Sequence, residues 1–410
     1  MSRVTAELAR IQVAGAYLQW ASEGVRMKLE TGELRPSASD LAAYLNCHHL
    51  TELEKAAARG QVKRPAFWDP ALEALWARGQ AHEKDYVQHL AGQGLEPTVI
   101  PGIDIDDESV AATNAAMSSG VPIIVQAALR SGHWAGRADV LRRIERPSDL
   151  GEWSYVAIDA KLARETKGST ILQLSLYSDL LGQAQGLTPE HMYVVRPWTE
   201  FAPEEYRVDD FAAFYRKVKA SFEAALQVDG ATYPEPVEHC DICTWKPVCN
   251  KRRRDDDHLS LVAGLTKLQG VELESRGVQT LAALAELALP IDWKPERGTT
   301  ASYERLCAQA RLQLEARQTG VIPYELLVAE AGVGLSLLPE PNDGDVFLDF
   351  EGDPFVGEGG LEYLLGYQYR DAGEWKYVAL WALNRAQEKA AFEQFIDFVI
   401  ATLCLLDAGV

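Results

Sequence analysis

Apolar and polar positions change their period several times along the chain. Residues 1–26 carry a helical stripe (Val4, Leu8, Ile11, Leu18) interrupted at Gly15, which predicts an amphipathic helix. Residues 1–34 are expected to be an N-terminal helical extension; Met27 reads as a more conventional start, which leaves open that residues 1–26 are an extended reading frame rather than functional protein. Ser37 or Ser39 is placed to cap a helix running through Leu41, Tyr44 and Leu45 to Cys47. Residues 70–92 predict one long helix containing Gly79 and His82. The period then shortens. Residues 121–126, 133–141 and 153–161 read as strands, 171–185 return to helical spacing through Leu174, Tyr177 and Leu181, and 191–196 are a further strand. This order predicts an α/β core with a mixed sheet and flanking helices.

Beyond the core the pattern weakens. Residues 233–247 are irregular and rich in cysteine. Residues 259–288 predict two short helices joined between Gly270 and Gly277, with some look of a helix-hairpin-helix and the plainer alternative of a helical linker. A helical and loop connection is expected over 294–343. At 345 the character changes again, to a strand ending in acids, two more strands at 363–369 and 375–381, and an amphipathic helix over 386–403.

A length of 410 residues suggests roughly two to three domains. No apolar run is long enough for a membrane span. No basic stretch leads into an apolar one at the N-terminus, so the expectation is a cytoplasmic protein with no membrane partner. The net charge of −20 weighs against a protein that coats nucleic acid without specificity. It does not exclude an enzyme whose metal ligands are themselves acids. The single basic run, residues 251–254, is followed at once by Asp255, Asp256 and Asp257, so a solvated charge run and a local nucleic-acid path both stay open.

Phosphodiester hydrolysis needs a divalent metal, a positioned water and charge relief at the phosphate. Two acids on adjacent strands, with a lysine two residues past the second, are the simplest scaffold, because positions i and i+2 of a strand share a face. Asp139, Asp159 and Lys161 fit it, and Asp159 closes an apolar strand, where an acid needs a partner or a metal. The tripeptide alone says little. Four segments in order say more: Gly79-Gln-Ala-His82, Gly136-Arg-Ala-Asp139, Asp159-Ala-Lys161 and Gln173-Leu-Ser-Leu-Tyr177. Together they resemble the RecB-like family of PD-(D/E)xK nucleases over roughly residues 37–250. The resemblance implies a restriction-endonuclease-like domain over 35–255 that hydrolyses DNA, single-stranded or at ends, in repair or recombination. It implies Mg²⁺ or Mn²⁺ held by His82, Asp139 and Asp159, with Lys161 at the attacking water. Gln173 would position Lys161 and the phosphate, and Tyr177 would contact DNA or prop its helix. Asp159 stands where Glu is more usual, which shortens that ligand by about one methylene.

Cys240, Cys243 and Cys249 have the spacing C-x2-C-x5-C, and three clustered thiolates need a fourth ligand. His239 offers one for zinc. The same family resemblance instead implies a 4Fe–4S cluster on Cys47, Cys240, Cys243 and Cys249, stapling the two ends of the domain. Zinc is the alternative. Cys307 and Cys404 read as small hydrophobes.

Asp349 and Glu351, one residue apart on a strand, resemble the first motif of an RNase H-like 3′–5′ exonuclease. The later acids of that family are not reached, so 344–410 read as the truncated start of such a domain, with 256–343 as a helical linker. The whole resembles the front of a fusion that continues into a superfamily 1 helicase. No glycine-lysine phosphate loop occurs here, so a helicase enters only as a fused or separate partner. Two other readings remain: a catalytically silent nucleic-acid-binding module, and an RNase H-like exonuclease acting through Asp349 and Glu351.

Overall fold

The computed structural model describes residues 26–66, 69–197, 199–228, 230, 232–357 and 359–407, with side chains to residue 402. All but the last residue of the helix expected over 1–26, and the Cys404 side chain, lie outside the described residues. The chain divides into two compact units, Met1–Tyr324 and Glu325–Val410.

The first unit opens with a short hairpin, β1 (Lys28–Glu30) and β2 (Glu33–Arg35). Ser37, of the two serines, caps α1 (Ala38–Asn46). The cap is reciprocal: Asp40 N–H donates to Ser37 Oγ at 3.1 Å, and Ser37 N–H donates to the Asp40 carboxylate at 2.8 Å. Cys47 breaks the helix, and α2 (His48–Ala58) follows. Next comes the expected long helix, α3 (Pro70–Gly92), started by Asp69 accepting from the N–H groups of Ala71 and Leu72 with proline in the first turn.

A mixed sheet of six strands follows, with α4 (Asp107–Ser118) after its first strand. The strands are β3 (Pro97–Val99), β4 (Ile123–Ser131), β5 (Trp134–Ile144), β6 (Ser154–Ala160), β7 (His191–Val195) and β8 (Glu204–Arg207), hydrogen-bonded in that order. Pairs β3–β4 and β6–β7 are parallel and the others antiparallel. The four strands expected from the sequence form its middle. The short edge strands β3 and β8 were not anticipated, because three or four partly exposed residues are too few to establish a period. Helix α5 (Gly168–Gln185) links β6 to β7, and α6 (Val208–Gln227) follows β8.

The central strands are buried on both faces. Ile124, Ala138, Leu141, Tyr155 and Ala157 join Leu174, Tyr177 and Leu181 of α5 in the main core. Ile123, Val125, Val140 and Ile158 pack with Tyr86 and Leu90 of α3. Strict alternation would put Val125 and Ala127 on one face, and Ala138 and Val140 likewise. Instead both pairs split between the two cores. The break falls at Gln126 on β4 and Asp139 on β5, between the registered pairs Val125–Val140 and Ala127–Ala138. Gln126 absorbs it with a left-handed backbone, φ 57°. Phe222 of α6 is fully buried against Tyr44 and Trp134. That burial contributes about 2–3 kcal/mol.

The cysteine segment leads into α7 (Lys246–Asp255), and α8 (Lys267–Ser275), α9 (Leu281–Ala285) and α10 (Thr300–Thr319) follow. These last three gather their own core of Leu259, Leu273, Leu281, Leu284, Tyr303 and Cys307. Gly270 lies inside α8. The reversal expected between Gly270 and Gly277 narrows to the latter, whose φ of +83° suits a residue without Cβ.

In the second unit, β9 (Val346–Asp353), β10 (Leu361–Asp371) and β11 (Glu374–Trp381) form an antiparallel sheet ordered β11-β10-β9, with α11 (Arg385–Asp407) after it. Leu365 and Tyr367 of β10 pack on Phe395 of α11. Among the described residues no helix is long and apolar enough to cross a membrane.

Candidate active site

Strands β5 and β6 pair antiparallel with Val140 opposite Ile158. Asp139 and Asp159 lie just beyond this last registered pair. The Ala160 N–H donates to Asp139 Oδ2 at 3.1 Å, which holds that carboxylate against the end of β6. Asp159 is fully buried, and neither of its oxygens receives a hydrogen bond from a neutral donor. Its partner is the Lys161 ammonium, 3.0 Å from Oδ2 and on the same side of the strand. The Lys161 N–H donates to the Val195 carbonyl at 3.0 Å, so the lysine backbone continues the β6–β7 ladder.

Burial, the Asp139 carboxylate and the Asp159 carboxylate all bear on a residue that the sequence did not single out. Glu83 follows His82 on α3 and is buried, and its carboxylate accepts from Gln126 Nε2. Burial, then Asp139, push the Glu83 carboxyl up to about 8. Burial likewise pushes Asp159 well above the ordinary carboxylate range, and the neighbouring Asp139 adds to it. Burial alone would lower the Lys161 ammonium, but Asp159, Asp139 and Glu83 together hold it above its ordinary value. Three carboxyl groups thus face one ammonium in a low-dielectric setting, and a hard divalent cation there would favour their ionised forms. The signal for Glu83 was present: it falls on the buried stripe of α3 with Leu72, Tyr86 and Leu90, where a charge is out of place.

His82 is buried on the same helix turn, and its ring stacks on Phe201. Its Nε2 lies 3.0 Å from the Val195 carbonyl oxygen, the acceptor that Lys161 also uses. A carbonyl only accepts, so Nε2 carries a proton.

From the other side, α5 supplies Gln173 and Tyr177. Gln173 Nε2 donates to the Tyr177 hydroxyl at 2.9 Å, and that hydroxyl donates to the Arg137 carbonyl at 2.8 Å. Burial, then the Asp139 and Asp159 carboxylates, keep the Tyr177 phenol protonated far above its usual range. Gly136 makes room for this ring. The buried Arg137 guanidinium donates to the Gln126 carbonyl at 3.0 Å and to Pro101 O at 3.2 Å, bracing the break in β4. Asp139, Lys161, Gln173 and Tyr177 line one cleft of about 120 Å³, together with Ser37, Ala38 and Ser39 at the start of α1. Asp40, in the first turn of α1, is pushed up to about 6 by burial.

The four cysteines expected to share a cofactor also meet. Cys47 at the α1–α2 break, Cys240, Cys243 and Cys249 line one small cavity with His239. Burial raises the Cys243 and Cys249 thiols, the latter to about 11, and the other cysteines add to both. Among the described residues no three of these sulfurs lie within 4.8 Å of one another. Tetrahedral zinc at Zn–S of about 2.3 Å would bring them to about 3.8 Å. Beside them Trp245, fully buried, donates from Nε1 to Glu54 Oε1 at 2.7 Å, and Arg64 holds the other oxygen of Glu54 at 2.8 Å.

The basic run is largely spent within α7. Lys251 pairs with Asp255 and Arg252 with Asp256, each at 2.6 Å, while the buried Arg253 donates to the Pro234 carbonyl. In the second unit Asp349 and Glu351 are both exposed on β9, and Asp349 accepts from the next N–H, that of Phe350. Among the described residues neither these two acids nor the set His82, Asp139 and Asp159 brings three ligand atoms within 4.8 Å of one another.

Comparison with known families matches residues 42–250 to the PD-(D/E)XK nuclease superfamily. The matched span covers about half of the chain, from α1 to α7. No curated protein matches the chain.

Proposed function

The chain belongs to the PD-(D/E)XK nuclease superfamily, and from that premise we propose that it is a RecB-like DNA nuclease acting on single strands or duplex ends in repair or recombination. Superfamily membership implies metal-dependent phosphodiester hydrolysis, usually with Mg²⁺ or Mn²⁺. The observation that carries the reading is the meeting of Asp139, Asp159 and Lys161, with Asp159 buried and its oxygens left without neutral donors.

Asp139, Asp159 and His82 would hold the divalent ion, which when bound supplies Lewis-acid polarisation of the scissile phosphate. Lys161 stays protonated among three carboxylates, so it acts as a fixed cation. It offsets charge on the phosphate and orients the attacking water by hydrogen bonding. Gln173 reaches the same cleft and is held by Tyr177, which in turn fixes β5 at Arg137, two residues before Asp139. The start of α1 presents the positive end of its dipole to this cleft, which favours the phosphodiester chain.

We assign Cys47, Cys240, Cys243 and Cys249 to a 4Fe–4S cluster that ties the start of α2 to the segment entering α7. The motif order around His82, Asp139, Asp159 and Gln173 supports the RecB-like assignment and, with it, a helicase as partner.

The test uses end-labelled single-stranded DNA, duplex DNA and RNA, with wild type, Asp139→Ala and Lys161→Ala, in Mg²⁺, Mn²⁺ and EDTA. Cleavage of DNA by wild type alone, abolished by EDTA, is the expected result. Equal cleavage by all three proteins sinks the assignment. Metal-independent binding without cleavage would mean a nucleic-acid-binding module instead.

A further inference from the structure

Beyond the cysteine segment the chain brings together a different donor set. Glu235 lies between α6 and Cys240, His258 follows α7, and Glu274 is near the end of α8. One ligand atom from each lies within 4.8 Å of the other two. His258 Nε2 is 3.4 Å from Glu235 Oε1 and 3.7 Å from Glu274 Oε1. Both separations are longer than an ordinary N–H···O hydrogen bond of about 2.7–3.2 Å. They are close to the edge of a tetrahedron around an ion: metal–ligand bonds of about 2.0–2.1 Å set donor atoms about 3.3 Å apart. Among the described residues no lysine or arginine forms an ion pair with either glutamate, so their mutual repulsion is relieved only through the imidazole.

The ring of His258 is pinned. It packs on Tyr233 with centroids 4.5 Å apart, and its Nδ1 meets Ser260 Oγ at 2.9 Å and the Ser260 N–H at 3.2 Å. The Ser260 N–H on Nδ1 keeps the ring proton on Nε2 while no cation is bound. A cation at Nε2 requires the ring proton on Nδ1, so the Ser260 N–H must give up Nδ1 while Ser260 Oγ, 2.9 Å away, turns to accept from it and becomes the outer partner of the ligating histidine.

We propose that Glu235, His258 and Glu274 form a structural site for a zinc-type divalent cation, completed by water, distinct from the acid cluster and adjoining the cysteine cavity, which Glu235 also lines. One imidazole and two carboxylates suit zinc and its neighbours better than Mg²⁺, which favours all-oxygen surroundings. The ion would join the segment entering the cysteine clamp to α8, and so tie the helical segment to the nuclease domain.

The test is a cobalt(II) titration of the full chain in excess Mg²⁺, followed by difference absorbance, with wild type, His258→Ala and Glu274→Gln. The expected result is one equivalent of cobalt with a ligand-field band and no sulfur-to-cobalt charge transfer. Both variants should weaken that uptake at least tenfold while DNA cleavage in Mg²⁺ is unchanged. Glu274 is exposed, so its variant stays informative if His258→Ala fails to fold. Equal cobalt affinity in wild type and Glu274→Gln overturns the site and leaves an ordinary histidine–glutamate pair. So does uptake carried entirely by a sulfur charge-transfer band. Neither outcome bears on the nuclease reading, whose own test is loss of cleavage in Asp139→Ala.

Discussion

A Cβ on Gly136 would lie 2.6 Å from the ring of Tyr177. The glycine three residues before Asp139 is therefore the space that lets the tyrosine four residues after Gln173 pack flat on β5. The contact is strictly steric, since Gly136 has no positive φ to explain it.

Gly136→Ala should cost about 1–3 kcal/mol in urea melts, the usual range for overpacking a filled core. It should also displace the Tyr177 hydroxyl from the Arg137 carbonyl and lower cleavage at least tenfold. Tyr177→Leu in the same chain should restore part of the stability and none of the activity. Unchanged stability in the single variant would show that the ring moves freely.

Lys161→Ala should lower kcat by more than about a hundredfold with little change in KM, as expected for a cation that acts on developing charge. Lys161→Arg should not restore it. The site holds a compact ammonium 3.0 Å from Asp159, and a planar guanidinium does not fit the same point. Steady-state kinetics on end-labelled DNA decide this.

Glu83 gives a pH dependence whose sign is fixed. Its folded-state value, about 8, lies above the ordinary 4.5, so the folded chain holds the proton more tightly than the unfolded chain. Below 4.5 both states are protonated and nothing is lost. Between 4.5 and about 8 the unfolded state gains by ionising, so stability falls as pH rises, by at most about 5 kcal/mol. Glu83→Gln keeps an acceptor for Gln126 and removes the titration. Thermal melts in EDTA should show a shallower fall in Tm between about pH 5 and 8 for the variant. Calorimetry should show Mn²⁺ affinity at least tenfold lower in the variant, because a carboxylate of the cluster is gone. Parallel Tm profiles would remove Glu83 from the account.

Cys47→Ser should abolish the broad visible absorbance expected of anaerobically purified protein and lower Tm. Cys307→Ser, at a buried position of the helical core, should leave the absorbance intact. Colourless wild-type protein carrying one zinc per cysteine set would replace the cluster by zinc. Trp245→Phe removes the donor to buried Glu54 without touching a sulfur, and should cost about 1–3 kcal/mol with the absorbance unchanged.

Periodicity and local chemistry were enough to find α1, α3, α5 and the four middle strands. Each is long, or bounded by a clear cap such as Ser37 or Asp69. The acid-x-lysine strand was legible because two-residue spacing fixes which side chains share a face, whatever surrounds the strand. The sequence also told that Cys240, Cys243 and Cys249 belong together, since they lie within ten residues. Only the tertiary structure decided what those residues face. The alternation breaks at Gln126 and Asp139 together because β4 and β5 are paired, and no single strand records that. Glu83 joins the acids across a gap of 56 residues to Asp139, and its charge is set by burial between α3 and the sheet. His258 meets Glu235 and Glu274 only because α7 and α8 fold back toward the cysteine segment. Spacing along the chain fixes local faces; electrostatics depends on distances through space and on the water removed, which the folded packing alone sets.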